Sequence, residues 1–188
     1  MNLITNYNNL NVVYIPGFGG SILNGEKFKF FKEVYPNIHG FQWDESDDLD
    51  QKLTTFITTI INPKLITLII GSSAGGKIAL LMKQIMLELG YQSPFTCLLN
   101  PLANVNHRLL DFSLSNPYLI TGNLHLVNQY SLIIWSAEDE VINQIASIKE
   151  FDPNNTFIQV NDDHSLRLSM STIVKRIDEY TFHNLQFI

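Results

Sequence analysis

Apolar positions along this chain follow two rhythms. Residues 12–15, 65–70, 95–99, 131–136 and 156–160 are short runs, mostly apolar and β-branched, that read as strands, the central ones buried on both faces. Between them, Leu49, Leu53, Phe56, Ile57, Ile60 and Ile61 recur three and four apart, as do Ile78, Leu81, Met82, Ile85, Met86 and Leu89. These spacings predict amphipathic helices over 49–61 and 76–89, the first stopped before Pro63 and the second at Gly90. Further helices are expected at about 25–34 and 166–180, and a short strand at 37–43. Short strands alternating with helices point to an α/β fold, a three-layer α/β/α sandwich around a mostly parallel sheet. The stretch 101–129 breaks the alternation, with Pro117 and Gly122 interrupting it, and is expected to be either a small pocket-shaping cap or a surface excursion.

Composition narrows the picture. A chain of 188 residues with 45% apolar and 16% charged residues is expected to fold as one domain over 1–188 with a substantial core. A net charge of -6 and the lack of any Lys/Arg cluster argue against a nucleic-acid partner. With Cys97 alone, no intramolecular disulfide can form, and its place in the 95–99 run suits a buried strand thiol. The first eleven residues carry neither a basic segment nor a signal-type apolar core, and no stretch approaches the roughly 18 apolar residues of a membrane span, so the expectation is a cytoplasmic protein. The acidic run 44–50 precedes a predicted helix, where carboxylates favour the N-terminus.

The chemistry concentrates where the 65–70 strand meets the 76–89 helix. Gly71, Ser73 and Gly75 form G-x-S-x-G, a pattern for which about 0.06 chance matches are expected in a chain of this length. A serine on a strand-to-helix turn is where a nucleophile stands, provided that a base and a group orienting that base lie within reach. Asp139 follows the strand 131–136, with Glu138 and Glu140 beside it, and His164 follows the strand 156–160. Ends of strands are where such sheets place ligands and catalytic groups. The backbone amides of Ala74, after the serine, and Phe18, in the loop after the first strand, would form an oxyanion hole. The histidines show no zinc-type spacing with Cys or carboxylates, so no metal site is expected.

At these residues the chain resembles the α/β-hydrolase superfamily. Tyr14-Ile15-Pro16-Gly17-Phe18-Gly19-Gly20-Ser21 looks like its oxyanion loop and residues 71–76 like its nucleophile elbow. Asn100-Pro101, Glu138-Asp139-Glu140-Val141 and Asp163-His164-Ser165 look most like the small YqiA-type esterases. The resemblance spans roughly 12–166. It implies about six strands ordered 4-3-5-6-7-8 in the full fold's numbering, and a serine hydrolase acting on small or short-chain carboxylic esters. Ser73, Asp139 and His164 would be its triad, with no metal and no organic cofactor. Pro16 stands where the family often has histidine.

Other readings attach to the same residues. Ser73 can be a plain turn residue, Asp139 a loop acid or cap, His164 a surface histidine and Phe18 a pocket wall. A hydrolase fold can also bind without catalysing. Gly71, Gly76 and Lys77 match G-x-x-x-x-G-K, a phosphate-cradling P-loop, although Ile78 follows where a hydroxyl would bind magnesium.

Overall fold

The computed structural model describes residues 9–111, 114–121 and 130–185. Six strands, β1 (Leu10–Ile15), β2 (Ile38–Gly40), β3 (Ile66–Ser72), β4 (Phe95–Leu99), β5 (Ser131–Ser136) and β6 (Thr156–Val160), make one sheet. Their order is β2-β1-β3-β4-β5-β6, every adjacent pair parallel, which is the expected 4-3-5-6-7-8. The helices are α1 (Glu26–Val34), α2 (Leu49–Ile60), α3 (Gly75–Glu88), α4 (Pro117–Thr121), α5 (Gln144–Ser147) and α6 (Met170–Leu185).

Alternate residues of the central strands feed two separate cores. Val13, Ile15, Ile69, Leu98 and Ile133 join the α2 and α3 side chains on one face. Val12, Tyr14, Leu68, Ile70, Cys97, Leu132 and Ile134 join α1 and α6 on the other. Because both faces of β1, β3, β4 and β5 are covered, their runs are apolar without alternation; β6, at the sheet edge, has Thr156, Phe157 and Gln159 exposed. Cys97 is fully buried in β4. Asp48 caps α2, its carboxylate accepting from the Gln51 amide at 3.1 Å.

Three stretches differ from the sequence reading. The strand expected at 37–43 ends at Gly40, because the chain then leaves the sheet to brace the first loop: the Gln42 carboxamide bonds Ile22 N and Gly20 O, and the Trp43 indole bonds Pro16 O. The last helix begins at Met170 rather than near 166. Leu166 has a left-handed φ of 57°, and the carboxylates of Asp162 and Asp163 take the amides of Ser165, Leu166 and Ser169 before the helix can start. Within 101–129, a 3-10 turn at Val105–His107 and α4 are described, while 112–113 and 122–129 lie outside the described residues, as do 1–8.

The junction of β3 and α3 depends on missing side chains. A Cβ on Gly71 would stand 2.6 Å from the Gly75 carbonyl oxygen and 2.8 Å from Ala79 Cβ. One on Gly75 would stand 2.4 Å from the Pro16 carbonyl oxygen. Gly71→Ala should therefore lower unfolding free energy by about 1–3 kcal/mol, seen as a lower urea midpoint at unchanged slope. An unchanged midpoint would show that the junction relaxes freely.

Candidate active site

Ser73 occupies the turn itself, with a left-handed φ of 54° that a non-glycine residue adopts only when its surroundings hold it there. Both its backbone groups are tied: its amide donates to Leu99 O at 2.9 Å, and its carbonyl accepts from Gly76 N at 2.9 Å and Leu102 N at 3.2 Å. Ala74, the N-cap of α3, is fully buried, its side chain packed in the core on the α2–α3 face and not in the cavity that Ser73 faces. Phe18 does line it, 43% exposed, its ring centroid 6.5 Å from that of Trp43. The Pro16 carbonyl accepts the Trp43 indole N–H at 2.7 Å, so the tryptophan fixes the loop after β1 at Pro16.

The loops after β5 and β6 bring Asp139 and His164 together. His164 Nδ1 lies 2.8 Å from Oδ2 and 2.9 Å from Oδ1 of Asp139, whose side chain is wholly buried. That carboxylate also accepts from Val141 N at 2.8 Å, Ile142 N at 2.9 Å and Gln144 Nε2 at 3.0 Å, which is how a buried charge is compensated. Neither neighbouring acid reaches the imidazole. Glu140 accepts the backbone amide of His164 at 2.9 Å, and Glu138 is exposed. Ser73 and His164 line one cavity, yet among the described residues no hydrogen bond joins the Ser73 hydroxyl to the imidazole.

Several supporting residues have no role assigned to them by the sequence. Asn100, fully buried with φ 43°, donates its side-chain amide to the carbonyls of Asp163 and His164 at 3.3 Å each and accepts Ser136 N at 2.8 Å. The Ser136 hydroxyl donates to the Asp162 carbonyl. Lys27 donates to Ser72 Oγ at 3.0 Å and to the His164 carbonyl at 3.2 Å. Lys27 is half-buried in the cavity wall, and burial pulls its pKa down to about 8 against the opposing pull of Asp139, Asp163 and Asp162. In the sequence Lys27 is one of three lysines on α1, the others exposed, and helical spacing alone does not single it out. Gln144 lies one turn beyond an acidic loop and is equally unmarked.

Lys77, the lysine of the P-loop pattern, turns away from residues 71–76. Its ammonium is buried against the Leu119 carbonyl at 2.8 Å and does not line the cavity beside Ser73. That cavity, of about 730 Å³, is walled by the segment from Pro16 to Phe30 and by His164, Ser165, Arg167, Met170 and Ser171. No described residue of 101–121 lines it. A Glu26–Arg167 ion pair of 2.7 Å, both side chains largely exposed, joins its two walls. Among the described residues no group of three or more His, Cys, Asp or Glu could hold a metal ion, and no helix is long and apolar enough to cross a membrane.

No protein-family model and no curated protein matches the sequence. Solved structures do match. YbtT, a type II thioesterase from a yersiniabactin biosynthetic pathway, superposes with a TM-score of 0.67 at 14% identity over 93% of this chain and 94% of its own. A hydrolase of the α/β superfamily from Xanthomonas campestris pv. campestris gives 0.60 at 16% identity over 95% and 99%. The Pyrococcus furiosus esterase Pf2001 gives 0.64 at 12% over 92% and 82%. The chain has the α/β-hydrolase fold.

Burial leaves a signature in the pH dependence of stability. Lys27, Lys77 and Lys83 are each pulled from 10.5 to about 8 by desolvation, so above pH 8 the unfolded chain holds protons that the folded one has released. Stability should rise between about pH 8 and 9. Beyond that, Cys97, whose ordinary value is 9.0, and Tyr14, Tyr118 and Tyr180, at 10.0, hold their protons in the fold and pull the other way. Urea unfolding at about pH 7.5, 8.5 and 9 checks the sign, and Lys77→Met should shrink the rise. A monotonic fall across the window would contradict it.

Proposed function

We propose that on this fold the protein is a serine hydrolase cleaving small carboxylic esters through Ser73, His164 and Asp139. The observation that carries the reading is the Asp139–His164 pair, at 2.8 Å, delivered to the cavity in which Ser73 sits on a left-handed turn. Asp139 accepts the Nδ1 proton and so leaves Nε2 as the acceptor. Ser73 Oγ attacks the acyl carbon while His164 Nε2 takes its proton, and the amides of Phe18 and Ala74 receive the oxyanion. The imidazolium then protonates the departing alcohol, and water repeats the sequence on the acyl-enzyme. The serine–imidazole bond missing from the free protein is one that forms or tightens when substrate enters. The chemistry asks for no metal and no organic cofactor.

Thioesters belong beside oxygen esters as candidate substrates, since one structural neighbour is a thioesterase. A panel of aryl esters and acyl thioesters graded by chain length tests the class. Ser73→Ala and His164→Ala should each lower turnover by at least about a hundredfold. Asp139→Asn should be far more damaging than Glu138→Ala. Unchanged turnover in the serine or histidine variant would overturn the assignment, and no turnover of any member by the wild type would favour a fold that only binds.

A further inference from the structure

We propose that Lys27 is a positioning residue of this site: its ammonium ties the strand end that carries Ser73 to the loop that carries His164. The inference rests on the hydrolase reading for its effect on turnover, and on geometry for the tie itself. Ser72, the last residue of β3, accepts from Lys27 Nζ at 3.0 Å, and the His164 carbonyl accepts at 3.2 Å. Asn100 grips the same carbonyl at 3.3 Å, but it braces the histidine loop against Ser136 on the β5 side and its side chain does not bond Ser72 or Ser73. Among the described residues Lys27 is the side chain hydrogen-bonded to both parts. With no direct bond between the Ser73 hydroxyl and the imidazole, this bridge acts together with the Asn100 brace and the Asp139–His164 pair in setting the spacing of nucleophile and base.

The bridge depends on charge. Facing the ammonium are Asp139 from the loop after β5, and Asp162, Asp163 and Arg167 from the loop before α6. Tyr14 from β1 reaches it through the Ser72 hydroxyl, and Glu26 stands next to it on α1. Three carboxylates favour the cation, while burial and Arg167 oppose it, and the balance puts its titration near pH 8. Charge-assisted donors form bonds roughly twice as strong as neutral ones, so a neutral amine holds Ser72 and His164 less firmly. Misplacing reacting groups by about 1 Å can cost a hundredfold in rate, which gives a loosened bridge a measurable consequence.

The test compares wild type with Lys27→Met across pH. At pH 7 the variant should turn over a short-chain aryl ester about tenfold more slowly. Above pH 9 the ratio should shrink to about threefold or less, because the wild type has lost the same charge. Loss of packing alone gives a ratio that does not change with pH, and that result would overturn the proposal. Where Lys27→Met does not fold, Lys27→Gln is carried through the same profile. Amide hydrogen exchange reads the tie without catalysis: in wild type, protection of the His164, Leu166 and Ser169 amides should fall relative to β3 as pH passes about 8, and in the variant it should already be low at pH 7. Protection that is unchanged in both comparisons would refute the tie, even if no ester is hydrolysed; absent hydrolysis with the exchange pattern intact would refute the hydrolase reading alone.

Discussion

Backbone touching backbone at the end of β3 is the constraint from which the rest of the site follows. The central strand must reverse into α3 within the span of Ser73 and Ala74, and it does so only because Gly71 and Gly75 leave room for carbonyl oxygens where any Cβ would collide. The same contact locates the first loop, since the space beside Gly75 is filled by the carbonyls of Ile15 and Pro16. The Trp43 indole closes the arrangement from the other side. A left-handed serine costs of the order of 1–3 kcal/mol, and here its amide and carbonyl are both bonded to the chain around β4, which holds it in place.

The second half of the site is built from polar bonds, not close packing. Asp139 is buried with two backbone amides, a carboxamide and an imidazole as partners, a full complement that keeps a buried carboxylate from being a liability. The His164 loop has little regular structure of its own, and its backbone is held by Asn100, Ser136, Glu140, Lys27 and the side chains of Asp162 and Asp163. The two halves differ in what can loosen them: sterics govern the elbow, while charge governs the histidine loop.

These differences explain what could be read from the residues alone. Strands buried on both faces announce themselves as unbroken apolar runs, and the G-x-S-x-G turn is legible because close backbone approach demands glycine. The serine, acid, histidine order follows from which strand each residue succeeds. Position after β5 points to Asp139 but leaves Glu138 and Glu140 as rivals, because three adjacent acids look alike until Val141, Ile142 and Gln144 are seen to converge on one of them. Lys27 was hidden for a similar reason: a lysine on a helix usually marks a solvated face, and the partners that make this one different lie in β3 and in the loop after β6. Apolar periodicity also overshot at residue 166, where Leu166 is buried in a turn held by aspartate side chains and not in a helix.

The central claim, that Ser73 is a nucleophile activated by His164, is tested most directly by mass spectrometry of the protein after brief exposure to a fluorophosphonate. The account predicts one adduct per chain, mapped to Ser73 and lost in both Ser73→Ala and His164→Ala. An adduct on Ser72 or elsewhere, or none on a folded wild-type protein, would contradict it.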